Sequence, residues 1–471
     1  MSPVAGAPPA RTVFAVLASM ALVVLDAGVV NVALPAIGGS LGAEPAEAVL
    51  VVTAYQTGLV MALLPCGALG ERFGHRRVFA WGLAAFIIAS GLCAAAPGLP
   101  WLVAARFVQG LGGAAVMALG VALLRFAVPE GRLGAAIGWN ALTVALAAAA
   151  APSLGAVILS AAGWPWLFAV NLPLGGLALL AARGAPSGPA GGRALDLVSL
   201  ALNAAAFGLL VVGVELAPAA PVAAVVLLAA AAAALWGLVR REGPKAAPLM
   251  PLDLLRAAPF RTSVIASVCC FAGQTVGLLA LPFYLQQGLG QGALATGLYM
   301  TAWPLSVAAT ATVAGRLADR WPAAWLCAAG GACLAGGLLA AAAWPIHGDP
   351  WPLVPVCVLC GLGFGLFQTP NNRSLFLSAP AARSGAAGGM QGTARLSGQT
   401  AGALAMMLLF SLAAPDAAPR IGFALGAASA LAAALVSLSG AFPSPPAGAP
   451  GRSRPGRSPR RASASRPWPG S

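Results

Sequence analysis

The segment GALGERFGHRR occupies residues 67–77, and a shorter segment of the same pattern, GRLADRWP, occupies residues 315–322. When their first glycines are aligned, an acidic residue, Glu71 or Asp319, stands at the fifth position of each and is followed by arginine. Each segment also follows the second apolar stretch of a series of six. An acidic–basic turn repeated at matching positions predicts a duplicated helical bundle.

The composition of the chain indicates that this bundle lies in hydrocarbon. Of its 471 residues, 59% are hydrophobic and 8% are charged, whereas a soluble protein carries roughly a quarter charged residues. Charges are scarce in membrane proteins because each one at the bilayer centre is costly. The net charge of +14 resides in loops and in the carboxy-terminal tail. We therefore expect an integral protein of the lipid bilayer with no nucleic-acid partner.

Apolar stretches of about 20 residues predict the membrane-spanning helices. They form a set of six, a pair and a second set of six. The fourteen stretches are residues 13–36, 49–70, 78–96, 101–126, 133–161, 166–182, 197–216, 222–239, 262–285, 293–314, 323–344, 353–376, 384–413 and 421–441. The predicted fold class is an all-α polytopic membrane protein with 14 transmembrane helices.

These stretches divide the chain into five predicted regions. A short amino-terminal segment (1–12) precedes the first six-helix bundle, and a disordered basic tail follows the second. The remaining boundaries are 13–183 for the first bundle, 184–261 for two linking helices and a loop, 262–441 for the second bundle and 442–471 for the tail.

The distribution of basic residues predicts the orientation of the chain. Seventeen of its 26 Lys and Arg residues lie before the first helix or in alternate loops, six lie in the tail, and only Arg420 lies on the other side. Loops rich in Lys and Arg remain in the cytoplasm. Together with the Ala-, Gly- and Arg-rich composition, this predicts a multi-pass protein of a bacterial inner membrane with both termini cytoplasmic.

Several ordered motifs carry a family resemblance. LDAGVVNVALP (25–35), RFVQGLGGAA (106–115) and WPWLFAVNLPLG (164–175) occur in the expected order around the two loop segments. Together they resemble the major facilitator superfamily, specifically its fourteen-helix drug/proton antiporter branch (EmrB/QacA type), over residues 12–440. The resemblance implies two six-helix bundles with two linking helices, and a secondary transporter rather than an enzyme. It also implies a small-molecule substrate and coupling to a proton gradient.

One segment departs from that branch. The resemblance implies a glycine-rich antiporter motif in the fifth helix, but this chain has AAAAAPSLGA at residues 147–156. Pro152 and Gly155 are retained, whereas alanine replaces other glycines. Alanine still permits close helix approach, so we expect the fold to be unchanged. The departure leaves both export and proton-coupled uptake open as directions of transport.

Asp26 is the acidic residue placed deep within a predicted span. At 1.5 Å per residue it lies about 13 Å below the outer end of its helix, and Arg106 lies about 8 Å below the outer end of the fourth helix. The two side chains are therefore at similar depth and able to pair. A buried carboxylate whose partner changes with conformation changes its proton affinity, so we predict that this pair couples proton movement to transport. A static ion pair that braces the two helices is the alternative.

The repeated loop segments are predicted to form a cytoplasmic gate. Their acidic residues can attract a helix N-terminus, and their arginines can bind carboxylates across the face of the protein. Retention of basic loops in the cytoplasm would also place arginines there. The predicted gate residues are Gly67, Glu71, Arg72, Gly74, Arg76, Arg77, Asp319 and Arg320.

Polar residues within apolar stretches are candidates for lining a substrate cavity. The candidates are Asn31, Gln109, Gln274, Gln368, Asn371 and Arg395. Arg395 either binds an anionic or polar group of the substrate or braces the second bundle, and charge alone does not choose between these roles. Asp26, Arg106 and Arg395 together carry a charge of +1, so neutral and anionic amphipathic substrates both remain open.

Other classes of protein fit the sequence poorly. A membrane enzyme acting on lipid-linked substrates needs clustered acid, histidine or metal ligands, but His75 and His347 are far apart on predicted opposite sides. Cys357 and Cys360 lie in an apolar helix and are expected to be buried thiols. We expect no metal site, no cofactor and a monomer. The leading hypothesis is proton-coupled efflux of a drug-like molecule or secondary metabolite by alternating access.

Overall fold

The computed structural model describes residues 9–185, 195–245, 252–345, 349–380 and 383–439. Every regular element in these ranges is helical. Most of the predicted amino-terminal segment, His347 and the predicted basic tail lie outside the described residues.

The α-helices in the described ranges follow one another with short connections, and α6 and α7 are separated by a single residue. They are α1 (Pro9–Leu41), α2 (Pro45–Phe73), α3 (His75–Ala94), α4 (Leu99–Ala127), α5 (Glu130–Ala162), α6 (Pro165–Ala169), α7 (Asn171–Ala182), α8 (Leu197–Glu215), α9 (Pro221–Glu242), α10 (Ala258–Phe283), α11 (Ala293–Leu317), α12 (Ala323–Ala343), α13 (Leu353–Leu377), α14 (Ser384–Leu412) and α15 (Ala418–Ser439). A π-helix, Tyr284–Gly288, continues α10.

Twelve helices of the described part are long and apolar enough to cross a membrane, with α6 and α7 counted as one span. The two remaining predicted spans correspond to α11 and α14, which are 25 and 29 residues long but are not among these twelve. The prediction of a polytopic, all-helical membrane protein is confirmed. Length and composition support twelve spans in the described part, and the count of fourteen stays a prediction.

The helices form two bundles, α1–α7 and α10–α15, that meet along two seams. One seam joins α2 to α14, and the other joins α5 to α11. The pair α8 and α9 packs as a hairpin against α2 and α14 at the edge of the first seam.

The two bundles share one apolar cluster toward one end of the molecule and have separate clusters toward the other. We call the end where α1 begins and α15 finishes the terminal face. Away from it, α1 residues such as Val32 and Ile37 share one apolar cluster with residues of the second bundle such as Leu285, and Gln286 donates a hydrogen bond to the Val32 carbonyl at 3.0 Å. Toward the terminal face the clusters are separate, but α2 and α14 still touch there: Leu396 joins the cluster of the first bundle, and Leu64 packs against that of the second. The shared apolar cluster of the two bundles therefore lies toward the face opposite the termini.

The turn between α2 and α3 is shorter than the sequence predicted. We expected a loop over residues 71–77, but α2 continues to Phe73 and α3 begins at His75. Gly74 alone makes the connection, with φ of 95° and its N–H donating to the Gly70 carbonyl at 3.0 Å. Only glycine adopts this φ at little cost, which explains how one residue reverses the chain.

The predicted sixth helix is interrupted. α6 ends at Ala169 and α7 begins at Asn171. Pro173 has no N–H to donate to the carbonyl four residues earlier, and its ring clashes with that carbonyl, so a continuous helix is disfavoured here. The interruption places the Asn171 side chain in the protein interior, where it is 2% exposed.

Ionic contacts join α8 and α9 at the terminal face. Asp196 caps α8 by accepting a hydrogen bond from the Ser199 N–H at 3.1 Å, and it pairs with Arg241 at 2.9 Å and with Lys245 at 2.5 Å. The hydrogen bonds from Arg241 and Lys245 hold the pKa of the Asp196 carboxyl far below its ordinary value. Glu242 is fully buried beside them and accepts a hydrogen bond from the Ser199 hydroxyl at 2.5 Å.

Two substitutions of Asp196 separate its capping role from its charge. Asp196→Asn keeps a good capping side chain but removes the charge, whereas Asp196→Ala removes both. We expect both variants to lower the Tm of the purified protein in detergent at neutral pH. Alanine should lower it further, because loss of an N-cap costs about 1 kcal/mol. Equal Tm values for the two variants would contradict the capping role.

The pH dependence of the same variants tests the ion pairs. Because the folded-state pKa of Asp196 is depressed, its ionic contacts stabilise the fold above the ordinary carboxyl pKa of about 3.9 and lose effect as the pH falls below it. The Tm difference between wild type and Asp196→Asn should therefore narrow as the pH is lowered from neutral to below that value. A constant difference would show that the charge contributes nothing.

Candidate functional site

An ion pair lies in the core of the first bundle. Arg106 on α4 contacts Asp26 on α1, with 2.5 Å between Nη1 and Oδ2. Each residue is 1% exposed. The structure thus brings together the two residues for which the sequence predicted a common depth, and it places them away from both solvent and lipid.

Neutral donors complete the surroundings of the carboxylate. Asp26 Oδ1 accepts a hydrogen bond from Gln109 Nε2 at 2.9 Å and another from Asn171 Nδ2 at 2.7 Å. Both amides also lie near the Ser90 hydroxyl on α3, at 2.8 Å and 3.3 Å. With the arginine, three donors from α4 and α7 act on one carboxylate, an arrangement that satisfies an ionised acid away from water.

The guanidinium of Arg106 is held from several sides. Its Nε donates to the Val51 carbonyl of α2 at 3.1 Å, and its Nη1 lies 2.5 Å from Gln109 Oε1. Its carbon Cζ lies 4.1 Å from the centre of the Tyr55 ring and 5.5 Å from that of Phe168, within the range of cation–π attraction. The charge is therefore fixed in place by α1, α2, α4 and α6 together.

Close packing of α2 against α4 makes this contact possible. A Cβ added at Gly110 would lie 2.2 Å from the Tyr55 carbonyl oxygen, and one added at Gly58 would lie 2.4 Å from the Phe107 carbonyl oxygen. The two backbones therefore touch where both helices carry glycine. Their proximity is what lets Arg106 reach the Val51 carbonyl.

A small cavity adjoins the carboxylate between α1, α5, α6 and α7. Its volume is about 30 Å³, roughly the space of one water molecule. Its lining is apolar except for Asp26 and Asn171, and the apolar residues are Leu22, Leu25, Val29, Leu154, Ile158, Leu167, Val170 and Leu174. The carboxylate thus borders a space into which a side chain or a water molecule can move.

In the part of the chain that the structure describes, no hydrogen bond or ion pair joins the predicted gate residues of the first loop segment to the second bundle. Glu71, Arg72 and Arg77 are exposed, and Arg76 donates to the Arg183 carbonyl of its own bundle at 2.9 Å. Gly67 lies within α2 with open space around it. Gate formation by these residues therefore stays a prediction, for a conformation other than the one seen.

The second loop segment behaves similarly. Asp319 pairs with Arg373 of α13 at 2.9 Å, and Arg320 is exposed. Among the described residues no ion pair connects the two segments.

The antiporter-motif residues lie at helix crossings. Gly155 of α5 faces the backbone of Val29 on α1, and a Cβ there would lie 2.9 Å from the Val29 carbonyl oxygen. The Pro152 carbonyl faces Gly297 of α11, so this residue sits on the seam between the bundles. The two residues therefore connect α5 to the Asp26 helix on one side and to the second bundle on the other.

The cavity candidates are scattered. Gln109 belongs to the Asp26 network, and Asn371 donates to the Ser267 hydroxyl of α10 at 2.7 Å, inside the second bundle. Gln274 and Gln368 are half-buried. The carbonyl oxygen of the Asn31 side chain is buried and has no hydrogen-bond partner in the described structure.

Arg395 reaches across from the second bundle to the first. Its Nη2 lies 3.9 Å from the Met117 sulfur of α4, its Nε is buried without a hydrogen-bond partner, and among the described residues no carboxylate pairs with it. A static brace normally pairs such a charge. The unmet donor therefore favours a role in binding over a role in bracing.

Sequence reasoning missed Ser90 and Asn171. Serine is common in spanning helices, so Ser90 gives no signal by itself. Asn171 stands in WPWLFAVNLPLG, two residues before a proline that interrupts the helix. An amide next to a helix break in an apolar run was the available indication.

Two helical bundles that bury a paired charge, in a chain whose described part has twelve helices long and apolar enough to cross a membrane, define a polytopic membrane protein of the transporter class. The chain belongs to the Major Facilitator Superfamily, whose profile matches residues 16–403. It is a transporter and not an enzyme, as the sequence resemblance implied.

Several relatives have transporter names. The chain is 41% identical to the uncharacterized transporter YebQ of Escherichia coli, over 85% of this chain and 88% of the relative. It is 30% identical to the tetracenomycin C resistance and export protein of Streptomyces glaucescens, over 86% and 76%. It is 32% identical to the multidrug resistance protein Stp of Mycobacterium tuberculosis, over 81% and 72%.

Solved structures show the same fold. The POT family transporter PepTSo superposes with a TM-score of 0.67 and covers 91% of this chain and 97% of its own, at 15% identity. At that identity the likeness concerns the arrangement of helices alone.

A substitution at the α2–α4 contact tests how the site is held. In Gly110→Ala the new methyl group would collide with the Tyr55 carbonyl, and overpacking of this kind costs about 1–3 kcal/mol. We expect a lower Tm and reduced transport, because Arg106 moves with α4.

Gly176→Ala in α7 is the matched control. A Cβ there meets nothing within 4 Å, and alanine favours a helix over glycine by up to about 1 kcal/mol. Its Tm should be unchanged or higher. If the two variants behave alike, backbone contact between α2 and α4 does not hold the site.

Proposed function

We propose that the chain is a proton-coupled exporter of small drug-like molecules or secondary metabolites that works by alternating access. The observation that carries the proposal is the buried carboxylate of Asp26, paired with Arg106 at 2.5 Å inside a membrane bundle. Relatives named for resistance and export support the direction of transport. The energy source is the proton gradient.

Coupling follows from the energetics of a buried charge. A carboxylate away from water is stable while its cation and hydrogen-bond donors stay in place, and it takes up a proton when they withdraw. Asp26 and Arg106 belong to the same bundle, so rigid rocking of the bundles does not separate them. The helix break before Asn171 and the adjacent cavity of about 30 Å³ give the donors room to shift locally.

The proposed transmembrane topology has fourteen spans, as in the drug/proton antiporter branch. At 1.5 Å per residue, α11 and α14 are about 37 Å and 43 Å long, more than the roughly 30 Å of a bilayer core. With both termini in the cytoplasm of a bacterial cell, as we propose, the apolar cluster shared by the two bundles lies toward the outer face.

Substrate binding is assigned to the space between the bundles at the depth of Arg395. This guanidinium faces Met117 across the seam without a carboxylate partner. A neutral or anionic amphipathic molecule with an acceptor group satisfies the unmet donor, whereas a cation is repelled.

Asp26→Asn tests the coupling. Asparagine keeps the size of the side chain but not the titratable charge, so we expect uncoupler-sensitive efflux of a fluorescent dye panel to fall by at least about tenfold, with surface expression intact. Asp416→Asn, at an exposed acidic residue, is the control and should transport normally. Wild-type efflux in Asp26→Asn would refute the role.

Direction is tested in inverted vesicles. An exporter accumulates substrate in such vesicles when their lumen is acidified, whereas an uptake symporter releases it. Net proton-driven release would replace the export proposal with uptake on the same fold.

Substitution of Arg395 tests substrate charge. Arg395→Gln should weaken transport of anionic dyes by roughly tenfold, since a hydrogen bond to a charged group is worth about 1.5–3 kcal/mol, and should affect neutral dyes less. Arg11→Gln, at an exposed arginine, is the control. An equal loss for anionic and neutral dyes would indicate that Arg395 supports the fold instead.

A further inference from the structure

A second carboxylate lies within the membrane-spanning region. Glu215 is the last residue of α8 and is half-buried against α2. Its Oε1 lies 2.9 Å from the hydroxyl of Thr53, a residue with no exposed surface. In the sequence, Glu215 lies at the end of an apolar stretch. An acidic residue there can reach water, so its position alone gives no sign of burial.

The charge of Glu215 has no counterpart nearby. Asp196 and Glu242, at the other end of the same hairpin, share Arg241 and Lys245. Glu215 forms no ion pair with any described residue. An unpaired carboxylate in a largely apolar setting is stable as the neutral acid.

The charged and titratable groups of the helices packed against α8 all make other contacts or lie elsewhere. On α2, Tyr55 donates to the Val23 carbonyl and packs on Arg106. On α14, Arg395 is directed at Met117. The others are Glu44 at the N-cap of α2, Glu47, Cys66, Glu71 and Arg72 on α2, and Arg240, Arg241 and Glu242 on α9.

The contacts of the Thr53 hydroxyl also favour the protonated, neutral form of Glu215. The Thr53 hydroxyl lies 2.9 Å from Glu215 Oε1 and 3.3 Å from the Leu50 carbonyl. A hydroxyl has one proton to donate, so an ionised Glu215 and the Leu50 carbonyl compete for it. If Glu215 carries a proton, it donates to Thr53, and Thr53 donates to Leu50, so that both contacts are hydrogen bonds.

The same turn of α2 also contacts the ion-pair site. Arg106 donates to the carbonyl of Val51, which lies between the two residues, Leu50 and Thr53, that respond to Glu215. A change in the charge of Glu215 therefore alters hydrogen bonding in the turn that holds Arg106. The two carboxylates act on one short segment of α2.

We propose that Glu215 is a second proton-binding site, which holds a proton in the conformation seen and is coupled to the Asp26–Arg106 pair through residues 50–53 of α2. The proton-binding part stands on the geometry of Glu215 alone. Only the coupling part rests on the proposed function.

Labelling with dicyclohexylcarbodiimide tests whether Glu215 carries a proton. This apolar reagent attacks carboxyl groups in their protonated form, so membranes containing the full chain are treated between about pH 6 and pH 9, the range in which buried Glu side chains titrate. The Glu215 peptide is then quantified by mass spectrometry. We expect strong labelling of Glu215 at the lowest pH that weakens as the pH is raised, and no labelling of the exposed Glu44.

Glu215→Gln should abolish the adduct on that peptide and, in infrared difference spectra, remove one protonated-carboxyl C=O band. Absence of labelling at all pH values, or labelling no greater than that of Glu44, overturns the proposal. Neither the labelling nor the infrared measurement requires transport, so the proton-binding proposal can be confirmed even where the exporter proposal fails.

Transport then tests the coupling. Glutamine resembles the protonated acid, so Glu215→Gln should retain transport but lose much of the dependence of transport on pH, in contrast to the fall in efflux expected in the Asp26 variant. An unchanged pH profile for Glu215→Gln refutes the coupling through α2. Loss of transport with normal Tm and expression also refutes it, since a permanently neutral side chain should still support the conformation seen.

Discussion

The ion pair between Asp26 and Arg106 sets the conditions that the surrounding helices meet. A charge removed from water is stable only with a close partner and with its remaining hydrogen-bonding capacity filled. The amides of Gln109 and Asn171, the Val51 carbonyl and the Tyr55 ring supply those contacts. Loss of either ionic partner would leave the other uncompensated, so the bundle must keep α1, α2, α4 and α7 in register around one point.

Small residues make that register attainable. Without a hydrophobic force between helices in lipid, association depends on close packing and on polar contacts. Glycines at the crossing of α2 and α4 bring the backbones into contact, and a proline interrupts the sixth span so that Asn171 turns inward. The polar cluster and the packing of small residues are therefore one structural solution, because the polar groups meet only where the helices touch.

Much of this was predictable because membrane physics restricts the choices. Apolar length gave the spanning helices, and depth along two helices gave the contact between Asp26 and Arg106. Three features were missed for local reasons. The one-residue turn at Gly74 depends on a φ that sequence does not display. Ser90 and Asn171 become significant only once α3 and α7 are placed beside Asp26. Gate formation by the two loop segments stays a prediction.

The position of α2 links these features. It packs on α4 inside its bundle, on α14 across the seam and on α8 of the linking hairpin. The same helix carries the Val51 carbonyl that holds Arg106 and the Thr53 hydroxyl that meets Glu215. In the proposed mechanism, motion of the bundles and protonation inside them therefore act on the same backbone. This gives the linking hairpin a reason to pack where it does, since from that edge it contacts the helix shared by the seam and the charged site.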